Sequence, residues 1–397
     1  MIGVYKLQNE IMHYDWGSAE YLPELLGFEN PDRKPYAEVW MGTHPRGPSF
    51  AVLDEGENPL SSFSGSLPFL LKLLAAEKPL SIQAHPDKAH AEAGYARENA
   101  LHVPLDAPER GYKDQNHKPE ILCALTPFRA LCGFRKTDDI KRRLSVFSCQ
   151  AAKKLRESFD SNGGLRESGA SRGSGGLKNF LRVLLELTDH ERDEISSFIK
   201  KNMSRAKSEH EGYRAELELV EKLDSMFPRD PSVLSPLYLN LVCLNRGEAI
   251  FVPPGVIHSY IHGAGVELMA ASDNVIRCGL TSKYIDRAEL FAVLKFSPFM
   301  PVILKPETGG PYKYRVPVSD FSLVRMDNAG AEAAFPVSSD AILVCVNGNA
   351  GVCSRDGGKI ELGPGESAFI AGYACENIYL SGSFEVYIAS GSTRYAR

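Results

Sequence analysis

Two decapeptides far apart in the chain, LNRGEAIFVP from Leu244 and LGPGESAFIA from Leu362, share one register, L-x-x-G-E-[AS]-x-F-[VI]. Each reads as a strand, a glycine turn and a second strand. Such a unit cannot bury its apolar face alone, so its recurrence predicts duplicated small β-barrels. The first copy runs on into PPGVIHSYIH and brings in His258, whereas counting equally far along the second reaches Glu376 with no histidine near it. One barrel is therefore expected to carry chemistry and the other to be structural.

The segments around the repeats fill in the plan. To about Phe134 the chain mixes short apolar runs with Pro and Gly punctuation, a β-rich texture, with one helix expected in PFLLKLLAAEKP between Pro68 and Pro79. KTDDIKRRLSVFSCQAAKKLRESF then reads as a helix, with Thr137 as N-cap and acidic residues in its first turn. LKNFLRVLLEL, DHERDEISSFIKKNM after Thr188, and EHEGYRAELELVEKLDSMF extend a helical module. Between them, Asp160 to Gly176 is rich in Gly and Ser without periodicity and reads as a flexible surface loop. Strands return with LYLNLVCL, AIFVPP and GVELMAA. They continue through FSLVRMD, DAILVCVNG, GVCSRDGGKIELGPGESAFIAG and FEVYIASG, with Asn347-Gly348 and Asp356-Gly357 as turn signals. The fold class expected is mainly β with an α-helical domain. Residues 1–135 with 231–300 form the catalytic β part, 136–230 the helical domain, and 301–397 a second β domain without metal ligands.

A net charge of −5 gives no reason to expect nucleic acid or an anionic membrane as partner. The N-terminus, MIGVYKLQNEIMHYDWGS, lacks the basic region and apolar core of a signal peptide, and no run approaches the ~18 apolar residues of a membrane helix. The eight cysteines are scattered and never form C-x-x-C, which argues against a disulfide framework and a thiolate zinc site. A cytoplasmic monomer is expected.

In LSIQAHPDKAH, Gln83 and His85 lie two apart, so an extended strand projects both from one face, and Pro86 ends that strand. The pair reads as half of a metal site or as two polar residues at a loop entrance. NHKPE adds Asn116, His117, Lys118 and Glu120, and PPGVIHSYIH adds His258. Two imidazoles, a carboxylate and an amide oxygen suit Zn²⁺ and leave room for a water or substrate oxygen. With Glu120 the one anion, such a centre keeps a charge of about +1 and would favour an oxyanion beside it. His262 completes H-x-x-x-H with His258, but Pro253, Pro254 and Gly255 before it and Gly263 after it argue against a helix, and it reads as a non-ligand.

Four long stretches, YAEVWMGTHPRGPS, PFLLKLLAAEKPLSIQAHPDK, YKDQNHKPE and GVELMAASDNVIRCGLTSKYID, resemble type I phosphomannose isomerases, in family order and over nearly the whole chain. The resemblance implies two cupin-type (jelly-roll) β-barrel regions with a helical domain. It implies one zinc ion per chain on Gln83, His85, Glu120 and His258, and interconversion of mannose 6-phosphate and fructose 6-phosphate through a cis-enediol. Two departures, the Gly/Ser-rich loop and the run FVPPGVIHSYI before the histidine, leave the ligand set untouched.

The reaction needs a base near the reacting carbons and positive charge near the oxygens and phosphate. Arg277 matches the family's active-site arginine. Lys72, Arg277 and Lys283 are read as phosphate or anion contacts, and Trp16 and Tyr260 as pocket walls. Lys118, His117, Glu267 and Asp273 are the candidates for proton transfer. Glu267 lies in an apolar strand, a setting that raises a carboxyl pKa, and it could alternatively pair with Arg277. Two competing readings remain at this stage: an iron-dependent cupin oxygenase using His85, Glu120 and His258, and a non-catalytic sugar-phosphate-binding cupin. The amide ligand and nearby cations favour a redox-inert metal and an anionic substrate.

Overall fold

Both decapeptides fold as one construction. The strands Leu239–Leu244 and Ala249–Val252 flank the first, and Lys359–Leu362 and Ser367–Ile370 flank the second. Gly247 and Gly365 turn the chain at φ +83° and +81°, a region that side chains avoid. The motif glutamates close the same turn: Glu248 accepts from the Asn245 N–H and Glu366 from the Gly363 N–H, each at 2.9 Å. The two glycine N–H groups donate at 2.8 Å to Ala124 and Cys345 on neighbouring strands. Val252 and Ile370, equivalent in the motif, pair with Glu120 and Ala341. The position that carries a carboxylate in the first copy carries a methyl in the second.

The computed structural model describes residues 3–160, 174–307, 310–354, 358–372 and 377–391. It is mainly β, with several antiparallel sheets and ten α-helices among the described residues. One eleven-stranded sheet runs Glu10–Met12, Glu38–Met41, Phe69–Ala76, His258–Ala270, Glu120–Ala124, Ala249–Val252, Ile303–Leu304. Phe128–Phe134, Leu239–Leu244, Ile82–Ala84 and Ile276–Gly279 branch from this path. An eight-stranded sheet holds five of the C-terminal strands, a four-stranded sheet holds four more, and Val4–Gln8 joins the eight-stranded one by pairing Val4 with Ile370. That sheet therefore spans the division expected at residue 300. The two sheets share a core in which Ile121, Val266 and Leu268 meet Ile342, Val344 and Tyr387.

The expected helix between Pro68 and Pro79 is instead the strand Phe69–Ala76. It lies between Glu38–Met41 and His258–Ala270, and all eight residues are buried. A strand covered on both faces loses its alternation and reads as a continuous apolar run, which periodicity cannot separate from a buried helix.

Helices Thr137–Leu144, Gln150–Glu157, Ser174–Leu185, Asp189–Glu209, Arg214–Met226 and Ser235–Tyr238 follow in sequence. Thr188 forms a full capping box with Glu191. The expected N-cap Thr137 is the first helical residue instead, with Lys136 at the cap and Asp138 and Asp139 in the first turn. Apolar side chains of this group, among them Leu144, Phe180 and Leu223, pack with Ile82, Ala84, Ile257 and Ile276. The helices thus brace the strands around Gln83, His258 and Arg277. Most of the expected 160–176 loop, the Asp356-Gly357 turn and Glu376 lie outside the described residues. Among the described residues no helix is long and apolar enough to cross a membrane.

Candidate metal centre and active site

Glu120 opens the strand Glu120–Ala124, His258 opens His258–Ala270, and His85 lies one residue beyond Ile82–Ala84. Three strand ends converge. His85 Nε2 lies 3.2 Å from Glu120 Oε1 and His258 Nε2 lies 3.3 Å from Glu120 Oε2, with all three residues only 1% exposed. The other ring nitrogens are committed: His85 Nδ1 meets the Asn274 carbonyl at 2.7 Å and His258 Nδ1 meets the Val256 carbonyl at 3.0 Å. A carbonyl only accepts, so each Nδ1 carries hydrogen and each ring turns its Nε2 to the centre. Burial pushes His85 down to about 4. Among the described residues, His85 Nε2, His258 Nε2 and Glu120 Oε2 have no hydrogen-bond donor. Acceptors this close repel one another unless a cation lies among them, and their ligand atoms fall within 4.8 Å of one another. The residues fit a divalent metal. Gln83, the fourth expected ligand, stands opposite both His258 and Arg277 in the strand register.

The surroundings are strongly charged. The Lys118 ammonium lies 3.1 Å from Glu120 Oε1 and is buried. Lys72, read from sequence on a helix, stands on the central strand between two carboxylates, 3.1 Å from Glu267 and 3.3 Å from Glu38. Its ammonium also lies 5.2 Å from the centre of the Trp40 ring, whose Nε1 donates to Glu38 at 2.7 Å. Burial works against the Lys72 charge, but Glu38 and Glu267 outweigh it and hold the pKa above its usual value. Burial pushes Glu267 up, and Lys72 partly offsets this. Glu267 therefore has Lys72 as its salt-bridge partner, rather than Arg277.

Arg277 has no ion pair or hydrogen bond among the described residues, and its half-buried guanidinium is depressed by burial. Lys283 is lowered by burial and by the charges of Arg277 and Arg46, so two further cations act on it. Asp273 stands 3.2 Å from His44 and 3.5 Å from Arg46. Burial opposes its charge, yet His44 and Arg46 bring it down to about 2. His117 turns elsewhere, its Nε2 2.8 Å from Asp320. Tyr260 is buried beside His258, ring centres 6.0 Å apart, and its hydroxyl has no well-formed hydrogen bond; burial and the charges of Glu267 and Glu120 raise its pKa. Trp16 packs against the cluster holding Leu74, Ala76 and Tyr260 and stacks on Tyr14 at 5.6 Å. His262 is exposed and outside the metal-ligating group. Sequence reasoning did not single out Glu38, His44 or Asn274. For Glu38 the alternation in EVW, which puts Glu38 and Trp40 on one face, was an available signal.

Fold and donor set first define a class: a β-layered protein with a buried two-histidine, one-carboxylate centre among cations. The family profile of the type I phosphomannose isomerase catalytic domain matches residues 4–137. The mannose-6-phosphate isomerase of Salmonella typhimurium is 38% identical over 385 residues, 92% of this chain and 94% of that protein. The Homo sapiens enzyme is 34% identical over 392 residues, 87% of this chain and 88% of its own. The chain belongs to the type I phosphomannose isomerase family. Among solved structures, a phosphomannose isomerase mutant from Salmonella typhimurium superposes with a TM-score of 0.87 at 34% identity, covering 98% of this chain and 100% of its own. A holo, zinc-bound mannose 6-phosphate isomerase does so at 0.85 with the same identity and coverage.

Proposed function

We propose that this protein interconverts mannose 6-phosphate and fructose 6-phosphate with one zinc ion held by Gln83, His85, Glu120 and His258. The observation that carries the metal is the trio of buried acceptors with no donor between them. When bound, the ion supplies fixed positive charge where oxyanion character develops on the sugar. The family supports the reaction, and the same evidence leaves the oxygenase and sensor readings unfavoured.

The protein's own groups divide the remaining work. Among the described residues Arg277 has no carboxylate partner, and its charge reaches Lys283, so it takes the phosphate, the most anionic part of the substrate. Lys72 is already neutralised by Glu38 and Glu267, so its task is to hold those carboxylates in place. Lys118 touches Glu120 and its charge reaches both Glu267 and Asp273, which makes it the best-placed group to move a proton between C1 and C2. His117, held by Asp320, positions the Lys118 loop. Tyr260 and Trp16 wall the pocket. The repeated unit supports a pair of cupin-type barrels, with 136–230 as a helical domain braced beneath the metal strands. The seven cysteines among the described residues are free, which accords with a cytoplasmic compartment.

The test is turnover of mannose 6-phosphate by purified protein, by chelator-stripped protein restored with zinc, and by His258→Ala. Activity should vanish on stripping, return with zinc and fall on the order of 10³-fold in the variant, about 4 kcal/mol of transition-state stabilisation. Full activity in stripped, folded protein would sink the proposal.

A further inference from the structure

Asn274 is fully buried and every polar atom of its side chain is occupied by one loop. Its Oδ1 accepts from the N–H groups of Lys113 at 2.7 Å and Asp114 at 3.2 Å. Its Nδ2 donates to the carbonyls of Asp114 at 2.9 Å and Asn116 at 2.8 Å, and to Asp114 Oδ1 at 3.2 Å. The neighbours repeat the stitch: Asp273 N–H donates to Asp114 Oδ2, Ser272 Oγ to the Asn116 carbonyl, and Asn116 Nδ2 to the Ala271 carbonyl. The loop so held, 113–116, runs directly into Lys118 and the ligand Glu120. On its other side, the Asn274 carbonyl receives His85 Nδ1 and fixes which nitrogen that ligand presents.

We infer that Asn274 is a positioning residue that sets the affinity of the centre. It fixes the ring orientation of His85 through its backbone and the approach of Glu120 through its side chain. Two ligands that come from separate parts of the chain are aligned by one residue that touches neither the ion nor the substrate. The spacing of the two ligands then depends on this buried residue and on the stitch its neighbours repeat. Without it, the N–H groups of Lys113 and Asp114 and the Asp114 carbonyl lose their partner, and the Asn116 carbonyl keeps only the Ser272 hydroxyl. The loop would then relax toward water, and Glu120 would lose its alignment against the rings.

The inference rests on the zinc reading above. The decisive measurement is the zinc dissociation constant of stripped, folded protein, by competition with a fluorescent zinc chelator and without substrate. Asn274→Ala should weaken zinc on the order of tenfold or more, the scale at which orienting partners of metal ligands act. Asp114→Ala loosens the same loop from the solvent side, should fold where the buried change does not, and should weaken zinc in the same direction by a smaller factor. A purely structural role would lower the melting temperature of the stripped protein and leave zinc affinity unchanged. Affinities of the folded variants within twofold of the parent overturn the inference alone. A parent that binds no zinc overturns the reading of the site as well.

Discussion

The two β regions are built by the same turn and filled in opposite ways. Strand Glu120–Ala124 and strand Ala341–Gly348 occupy equivalent places beside the repeated motif, yet Glu120 corresponds to Ala341. Leu122 and Leu343, two residues on, pair with Glu267 and Ile388. The first region thus points carboxylates, imidazoles and ammonium groups inward. The second packs Leu343, Ile370, Ile378, Leu380, Val386 and Ile388 into a hydrocarbon core. One backbone plan therefore serves two ends: a centre whose stability depends on partners for every charge, and a core that needs none.

The comparison can be broken at its most charged point. Lys72→Met removes the cation between Glu38 and Glu267 and leaves two buried carboxylates facing each other. The expected destabilisation is about 3–5 kcal/mol, read as a lower urea midpoint, with activity falling in parallel. The mirror experiment is Ala341→Glu, which places the metal strand's carboxylate at the equivalent point of the apolar core. In a cluster of apolar side chains, the variant should lose about 3 kcal/mol or more in the same assay and gain no second zinc. A variant as stable as the parent would show that the second region tolerates charge and that the contrast is superficial.

Zinc sharpens the contrast by location. At a free concentration of one hundred times the dissociation constant it should stabilise the fold by about 2.7 kcal/mol. Hydrogen exchange should slow along Glu120–Ala124 and His258–Ala270 and stay unchanged along Ala341–Gly348. Equal protection of both regions would mean that the shared core, in which Val266 meets Val344, carries the effect across.

Acid gives the smallest effect. Asp273, held down to about 2 by His44 and Arg46 against burial, lies below the ~3.9 of an unfolded aspartate. A depressed carboxyl contributes stability above the unfolded value and loses it as pH falls toward the folded one. Asp273→Asn should therefore flatten the loss of stability between about pH 4 and 2. Glu385, also depressed, with Arg325 and Arg246 outweighing its burial, should behave alike in the second region. Unfolding midpoints at several acid pH values would check both.

The sequence by itself determined the elements whose signal is local. The repeat announced the β plan because a left-handed glycine and a glutamate that bonds back three residues are requirements of the turn, written into adjacent positions. Thr188 marked a helix start for the same reason, and the fold completes its cap with Glu191. The candidate metal-binding histidines and glutamate were legible because donor chemistry narrows the residue types, and the family resemblance joined what spacing alone left open. Periodicity failed at Phe69–Ala76, where burial on both faces erases the alternation that marks a strand. The rest belongs to tertiary structure. That Lys72 is neutralised while Arg277 has no ion pair among the described residues, that His117 turns to Asp320, and that Asn274 ties a loop to His85 all depend on contacts between residues distant in sequence. Charge is a property of a residue, but whether that charge is free to act is a property of its neighbours, and only the folded chain assigns those.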